Sequence, residues 1–402
     1  MKKLNKFFAV LVALAMMATL CVSMAFALDK NGEAITNGTK TDPANIVVEK
    51  VLNLADGVAI PDTTYDFTVS LVTTDVTKDG KTIAKAAPGT VSTNGFNTSL
   101  TAPKPERDST DATKATSITG EVFNDGVSFS EAGTYYFAVT EQLPATANNQ
   151  NPFTITTGKV KETYTYDTST YYIVAGVAKS GDTTYVNSIA VVDENGNKKT
   201  IQKITKVDGD TTTNYYGYDV ENKYQKVEDG ALKIQKEVKP TDETEGSEDY
   251  GFDTGKKFMF HITLNKPSTS AATSYTGVIH YADGTTKTET FAVPGTTDVE
   301  LAHNEYVEFT DIEYGVTYSV TEDDYSAIGY TVDADTLATN VTLKDDVAAS
   351  KLDNVVNKYD KDNDNTNTGI TMNNLPFIVL ALVAIGGLVA YVVVRRRNAD
   401  EA

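Results

Sequence analysis

Two sets of three polar side chains, each a lysine, a glutamate and an asparagine, fall on apolar faces of segments that read as β-strands. Strand side chains alternate faces, so Lys236 shares one with Leu232, Ile234 and Val238, and Lys50 shares one with Ile46, Val48 and Leu52. Glu141 lines up with Tyr135, Phe137 and Val139, and Glu322 with Tyr318 and Val320. Asn222 falls with Tyr218, Val220 and Tyr224, and Asn357 with Val355 and Tyr359. An unpaired ammonium or carboxylate in such a setting is costly, and burial pushes each towards its neutral form, the lysine pKa down and the glutamate pKa up. A neutral amine beside a protonated acid can attack the asparagine amide carbon. The acid would hydrogen-bond to the amide oxygen, polarise it and shuttle protons so that ammonia leaves. The product is a Lys–Asn isopeptide bond, neutral and compatible with a core, and it needs no cofactor because folding supplies the proximity. The plainer alternative is a lysine that snorkels to a strand rim and forms an ordinary ion pair with the glutamate. Two sets in the same order favour the chemistry.

The elements that must position these groups repeat. One unit runs from Ile46-Val47-Val48-Glu49-Lys50 through Tyr65-Asp66-Phe67-Thr68-Val69 and Tyr135-Tyr136-Phe137-Ala138-Val139-Thr140-Glu141 to Val220-Glu221-Asn222-Lys223-Tyr224. The other runs from Leu232-Lys233-Ile234-Gln235-Lys236 through Phe258-Met259-Phe260-His261-Ile262 and Tyr318-Ser319-Val320-Thr321-Glu322 to Val355-Val356-Asn357-Lys358-Tyr359. Internal self-similarity of this kind marks tandem structural units, here 40–227 and 229–359, with a loop insertion expected around Pro103 to Thr119 in the first. Short Val-, Thr-, Tyr- and Phe-rich runs broken by Gly, Asn and Asp predict an all-β body of sandwich domains. The only cysteine, Cys21, lies near the N-terminus, so disulfides cannot staple that body.

Both ends are read as targeting elements. Lys2, Lys3 and Lys6, the apolar stretch Phe7 to Leu20 and the small-x-small site Ala25-Phe26-Ala27 predict a signal peptide over 1–27. Residues 360–369 read as a polar tether, 375–394 as an apolar run of transmembrane length, and 395–402 as a cytoplasmic tail opening on three arginines. The whole chain carries a net charge of −20. Without the leader's three lysines, and the three arginines and two acids beyond Thr368, the body is close to −24. A surface this acidic argues against nucleic acid or anionic lipid as a partner.

The layout of Asn365-Thr366-Asn367-Thr368-Gly369, spacer, apolar span and basic tail resembles a Gram-positive sortase sorting signal, with cleavage implied between Thr368 and Gly369. The family's pentad usually opens Leu-Pro. The order of lysine, aromatic strand, Tyr-x-Val-x-Glu and terminal asparagine resembles the isopeptide-linked domains of streptococcal-type major pilins, over roughly residues 40–360. That resemblance implies two tandem immunoglobulin-like β-sandwich domains. One would be linked between Lys50 and Asn222 with Glu141 as proton shuttle, the other between Lys236 and Asn357 with Glu322. It further implies export to the cell surface and, as partners, a sortase transpeptidase and either other pilin subunits or peptidoglycan. The Tyr-Pro-Lys motif that presents the acceptor amine in many pilins is absent. Lys198, Lys199, Lys203 and Lys206, near the end of the first unit, are the candidates for joining subunits, beside their plainer reading as solubilising lysines. The alternative is a monomeric wall- or membrane-anchored adhesin that binds a host or matrix ligand. A surface hydrolase finds no paired-acid or Ser/His arrangement, and a thioester adhesin would need a cysteine in the mature chain. His261, His280 and His303 lack metal spacing, and Asp360-Lys361-Asp362-Asn363-Asp364 opens like a calcium loop without its later glycine and glutamate.

Overall fold

In the computed structural model, residues 34–36, 38–208, 211–241, 251–345 and 351–364 are described. The predicted alternation is realised as strands whose apolar faces meet between sheets. Tyr65–Leu71 and Phe258–Asn265 alternate buried and more exposed residues along their length, as a strand with one face on a core must. Among the described residues the only helical elements are two three-residue 3₁₀ turns, Ala145–Ala147 and Ala334–Thr336.

Four principal sheets pack as two β-sandwiches. In the first, Val47–Asn53 lies between Lys114–Ile118, antiparallel to it, and the long strand Thr211–Glu228, parallel to it. Val160–Thr165 and Phe153–Thr157 continue the sheet beyond the long strand, and Gln202–Asp208 pairs with the long strand's first half. The facing sheet runs Thr183–Val192, Thr170–Ser180, Gly133–Glu141, Tyr65–Leu71 and Ser99–Ala102 in spatial order. The second sandwich repeats the plan. Lys233–Pro240 is parallel to the last strand, Leu352–Asp364, and antiparallel to Tyr306–Thr310, while Ile328–Val332 lies on the far side of the last strand. Its facing sheet contains Gly295–Leu301, Phe258–Asn265, Thr317–Glu322 and Val341–Thr342. In both sandwiches the first and last strands are therefore neighbours, and they run in the same direction.

Two details depart from the sequence reading. The expected loop at Pro103 to Thr119 contains a hairpin, Glu106–Arg107 with Lys114–Ile118, that extends the sheet edge beside Val47–Asn53. Val47 through Leu52 of that strand are all buried, on both faces, and Gln202 donates to Glu49 on the outer one. The last strand also continues to Asp364, so the segment expected as a tether from residue 360 begins as strand backbone. The leader, Thr368, Gly369, the apolar run 375–394 and the basic tail lie outside the described residues. Among the described residues no helix is long and apolar enough to cross a membrane.

Candidate cross-linking sites

The parallel pairing of first and last strands brings each lysine to its asparagine. Lys50 lies opposite Val220 and Asn222 is two residues further along. Lys236 lies opposite Val355 and Asn357 is again two residues further along. A shift of two keeps both side chains on one face of the sheet. The glutamates arrive from the facing sheets, each at the last position of its strand and opposite the second aromatic of its neighbour: Glu141 opposite Phe67, Glu322 opposite Phe260.

Each glutamate forks between the other two groups. Glu141 Oε2 accepts from Lys50 Nζ at 2.9 Å, and its Oε1 accepts from Asn222 Nδ2 at 2.8 Å. Glu322 makes the same pair of contacts, with Lys236 Nζ at 2.7 Å and Asn357 Nδ2 at 2.5 Å. Lys50, Lys236 and Asn357 are 0% exposed, Asn222 1% and Glu141 3%. The Glu322 backbone is partly open, yet its side chain is 0% exposed. A snorkelling lysine leaves its ammonium in water, and neither of these does. Aromatic rings line the pockets instead: Lys50 Nζ sits 5.1 Å from the Tyr65 ring centre, and Lys236 Nζ sits 4.4 Å from that of Phe258 and 5.5 Å from that of Phe260.

Electrostatics follow from that burial. Desolvation drives the Lys50 pKa down to about 8, opposed by the Glu141 charge, and drives Glu141 up to about 7, opposed by Lys50 and Asn222. Lys236 is likewise lowered to about 8, desolvation outweighing the pull of Glu322. Each site thus holds a poorly solvated amine and an amide, each one hydrogen bond from a shared acid. The glutamate touches the amide nitrogen rather than the expected amide oxygen, because a carboxylate can only accept and the NH₂ is the donor. That arrangement links the lysine Nζ to the asparagine Nδ2 through the two oxygens of one carboxylate. The oxygen of Asn222 is met instead by the backbone N–H of Asp167 at 2.8 Å.

Asp167 was not singled out from the sequence, since a backbone donor leaves no mark in a side-chain pattern. A trace of it exists in the repeat, where Tyr164-Thr165-Tyr166-Asp167 matches Tyr330-Thr331-Val332-Asp333. The candidate intersubunit lysines lie apart from both sites. Lys198, Lys199 and Lys203 line a polar groove of about 740 Å³ with Glu49, Asp219 and Glu221, and Lys206 lines an adjoining one with Arg107. Lys199 pairs with Asp219 at 3.5 Å. The histidines are separately engaged: His261 between Asp298 and Asp323, His280 stacked on Tyr306, and His303 accepting from the Val238 N–H.

The chain thus carries tandem sandwiches with a buried, hydrogen-bonded Lys–Glu–Asn set in each. A family model described as a domain of unknown function (DUF7601) matches residues 230–359. A pilin of Streptococcus pyogenes serotype M1 is 25% identical over 386 residues, 92% of this chain and 94% of that one. Among solved structures, the major pilin from Streptococcus pyogenes is 20% identical over 79% of this chain and 98% of that one, with a TM-score of 0.32. A pilus-presented adhesin (Cpa) is 15% identical over 48% of this chain and 35% of that one, with a TM-score of 0.21. The sequence similarity to the pilin spans nearly the full length of both chains, in agreement with the resemblance carried by the motifs.

Proposed function

We propose that this chain is a pilus subunit, a structural protein of the Gram-positive cell surface whose two units, 40–227 and 229–359, each close with a self-formed isopeptide bond. Lys50 joins Asn222 with Glu141 as proton shuttle, and Lys236 joins Asn357 with Glu322. The single observation that carries this reading is the fork, repeated in both units, of one buried carboxylate between an amine and an amide. Lysine Nζ attacks the asparagine Cγ and passes a proton to the near glutamate oxygen. The far oxygen returns a proton to Nδ2, the C–N bond breaks, and ammonia departs. The chain's only chemistry in this reading is on itself. Similarity to a pilin along 92% of the chain supports assembly with other pilin subunits. Attachment would run through sortase cleavage between Thr368 and Gly369, with Lys198, Lys199, Lys203 and Lys206 as candidate acceptors. Peptidoglycan is the acceptor for a basal subunit.

Two measurements test this. The intact mass of residues 28–368 should fall two ammonia masses below the calculated value, and Glu141→Ala and Glu322→Ala should each restore one. An undiminished wild-type mass would exclude the bonds. For assembly, surface extracts boiled in detergent should give a high-mass ladder, whereas a single band near the monomer mass would favour a lone anchored adhesin.

A further inference from the structure

Asp167 and Asp333 occupy equivalent places in the two units, yet their backbone N–H groups are used differently. In the second unit the strand beside the last one keeps its register through Val332 opposite Asn357, and the next N–H, that of Asp333, goes to the Val356 carbonyl at 2.8 Å. In the first unit the matching ladder ends one residue sooner, at Thr165 opposite Lys223. The Asn151 side chain takes over there, accepting from the Tyr166 N–H at 2.9 Å and donating to the Tyr166 carbonyl at 2.8 Å. Freed from the ladder, the Asp167 N–H points at Asn222 Oδ1. It is held there by its own carboxylate, which accepts from the Ser169 N–H at 3.0 Å and the Tyr171 hydroxyl at 2.5 Å. Among the described residues Asn357 Oδ1 has no hydrogen-bond partner.

We propose that the Asp167 backbone N–H is the oxyanion donor for isopeptide formation in the first unit, and that this unit therefore closes before the second. This rests on the isopeptide reading. As Lys50 Nζ bonds to Asn222 Cγ, negative charge grows on Oδ1, and a donor already aimed at that atom in a water-excluded site stabilises the tetrahedral intermediate. Expulsion of ammonia then restores the carbonyl, with Glu141 carrying the proton from Nζ to Nδ2. The second unit has the same amine, acid and amide, but its equivalent N–H is committed to the strand ladder. Tyr166 contributes as a positioning residue, through the Asn151 clamp that turns the chain out of register.

The test is a time course of intact mass on the mature chain made by cell-free synthesis, in variants that leave one bond each. Glu322→Ala reports the first unit and Glu141→Ala the second. The first should lose its ammonia at least tenfold faster. Adding Asp167→Pro to Glu322→Ala removes the N–H and should slow closure by about 100-fold, the usual cost of one oxyanion donor. Asp167→Asn, which retains the N–H and an acceptor for Ser169, should recover most of that loss. Equal rates in the two single-bond variants would overturn the proposal without any change at Asp167, as would an unslowed proline variant. Absence of ammonia loss in both single-bond variants would instead refute the isopeptide reading itself.

Discussion

At the scale of single residues, the proposed closure would depend on one proton shared by a lysine and a glutamate. Below about 7 the Glu141–Lys50 pair carries a proton on each group, and an ammonium has no lone pair to attack with. Above about 8 the amine is neutral but the glutamate is a bare carboxylate, so no proton waits on its far oxygen as attack begins. Between those limits one proton is held, and its residence on the glutamate leaves the amine nucleophilic. The rate of ammonia loss from the first unit should thus be bell-shaped, with a maximum between about 7 and about 8, both flanks belonging to the pair. A rate that simply climbed with pH would mean that the glutamate need not be protonated before attack and only relays the proton it takes from Nζ. Glu141→Gln sharpens the point. It preserves the shape of the fork and removes the titrating group, so the first unit should retain its full ammonia mass even where Lys50 is neutral.

At the scale of elements, the parallel pairing of first and last strands would let the one proposed bond close nearly a whole unit. About 170 residues lie between Lys50 and Asn222, and by the chain-entropy estimate used for disulfides a cross-link over such a loop stabilises by about 5 kcal/mol. Asn222→Ala removes the bond and leaves the Lys50–Glu141 pair in place. It should therefore lower the first unit's melting temperature by about 10–20 °C in a calorimetric scan, with the second unit's transition little changed. The strand faces that carry these residues could be read directly, because alternation puts Lys50 beside Val48 and Leu52 whatever the fold. The two-residue offset to Asn222 could not, since register between strands so far apart is set by packing of the whole sandwich. The hairpin at Glu106–Arg107 and Lys114–Ile118 was hidden for another reason. Lys114-Ala115-Thr116-Ser117-Ile118 buries only Ala115 fully, too little apolar signal to stand out between Pro103, Pro105 and the Asp-rich turn at 108–111. The use of the Asp167 N–H was illegible because it depends on where a ladder stops.

At the scale of the whole molecule, the two sandwiches are joined by more than a linker. The long strand of the first unit runs on so that Val227 and Glu228 pair with Glu313 and Ile312 of the second. Lys226 reaches Asp345 at 3.0 Å, Lys161 reaches Asp311 at 2.5 Å, and Tyr314 donates to Glu228. Gly315 lies against Ala55 with φ +88°, and a Cβ there would fall 2.2 Å from the Ala55 Cβ. Gly315→Ala should therefore disturb the junction while leaving both mass losses intact. Tension between the chain's two ends would enter each unit through its first strand and leave through its last. Because these strands are parallel and adjacent, it would load them in shear, with the proposed Lys–Asn bond spanning the same pair. Pulled from its two ends in a single-molecule experiment, the wild-type chain should show no unfolding step from either unit, because force bypasses everything between the linked residues. Asn222→Ala reopens that route. It should add one event releasing about 600 Å of chain, the extended length of about 170 residues. Asn357→Ala should add a shorter event, since fewer residues separate Lys236 from Asn357. A wild-type chain that gave both steps would show that the strands hold by hydrogen bonds alone.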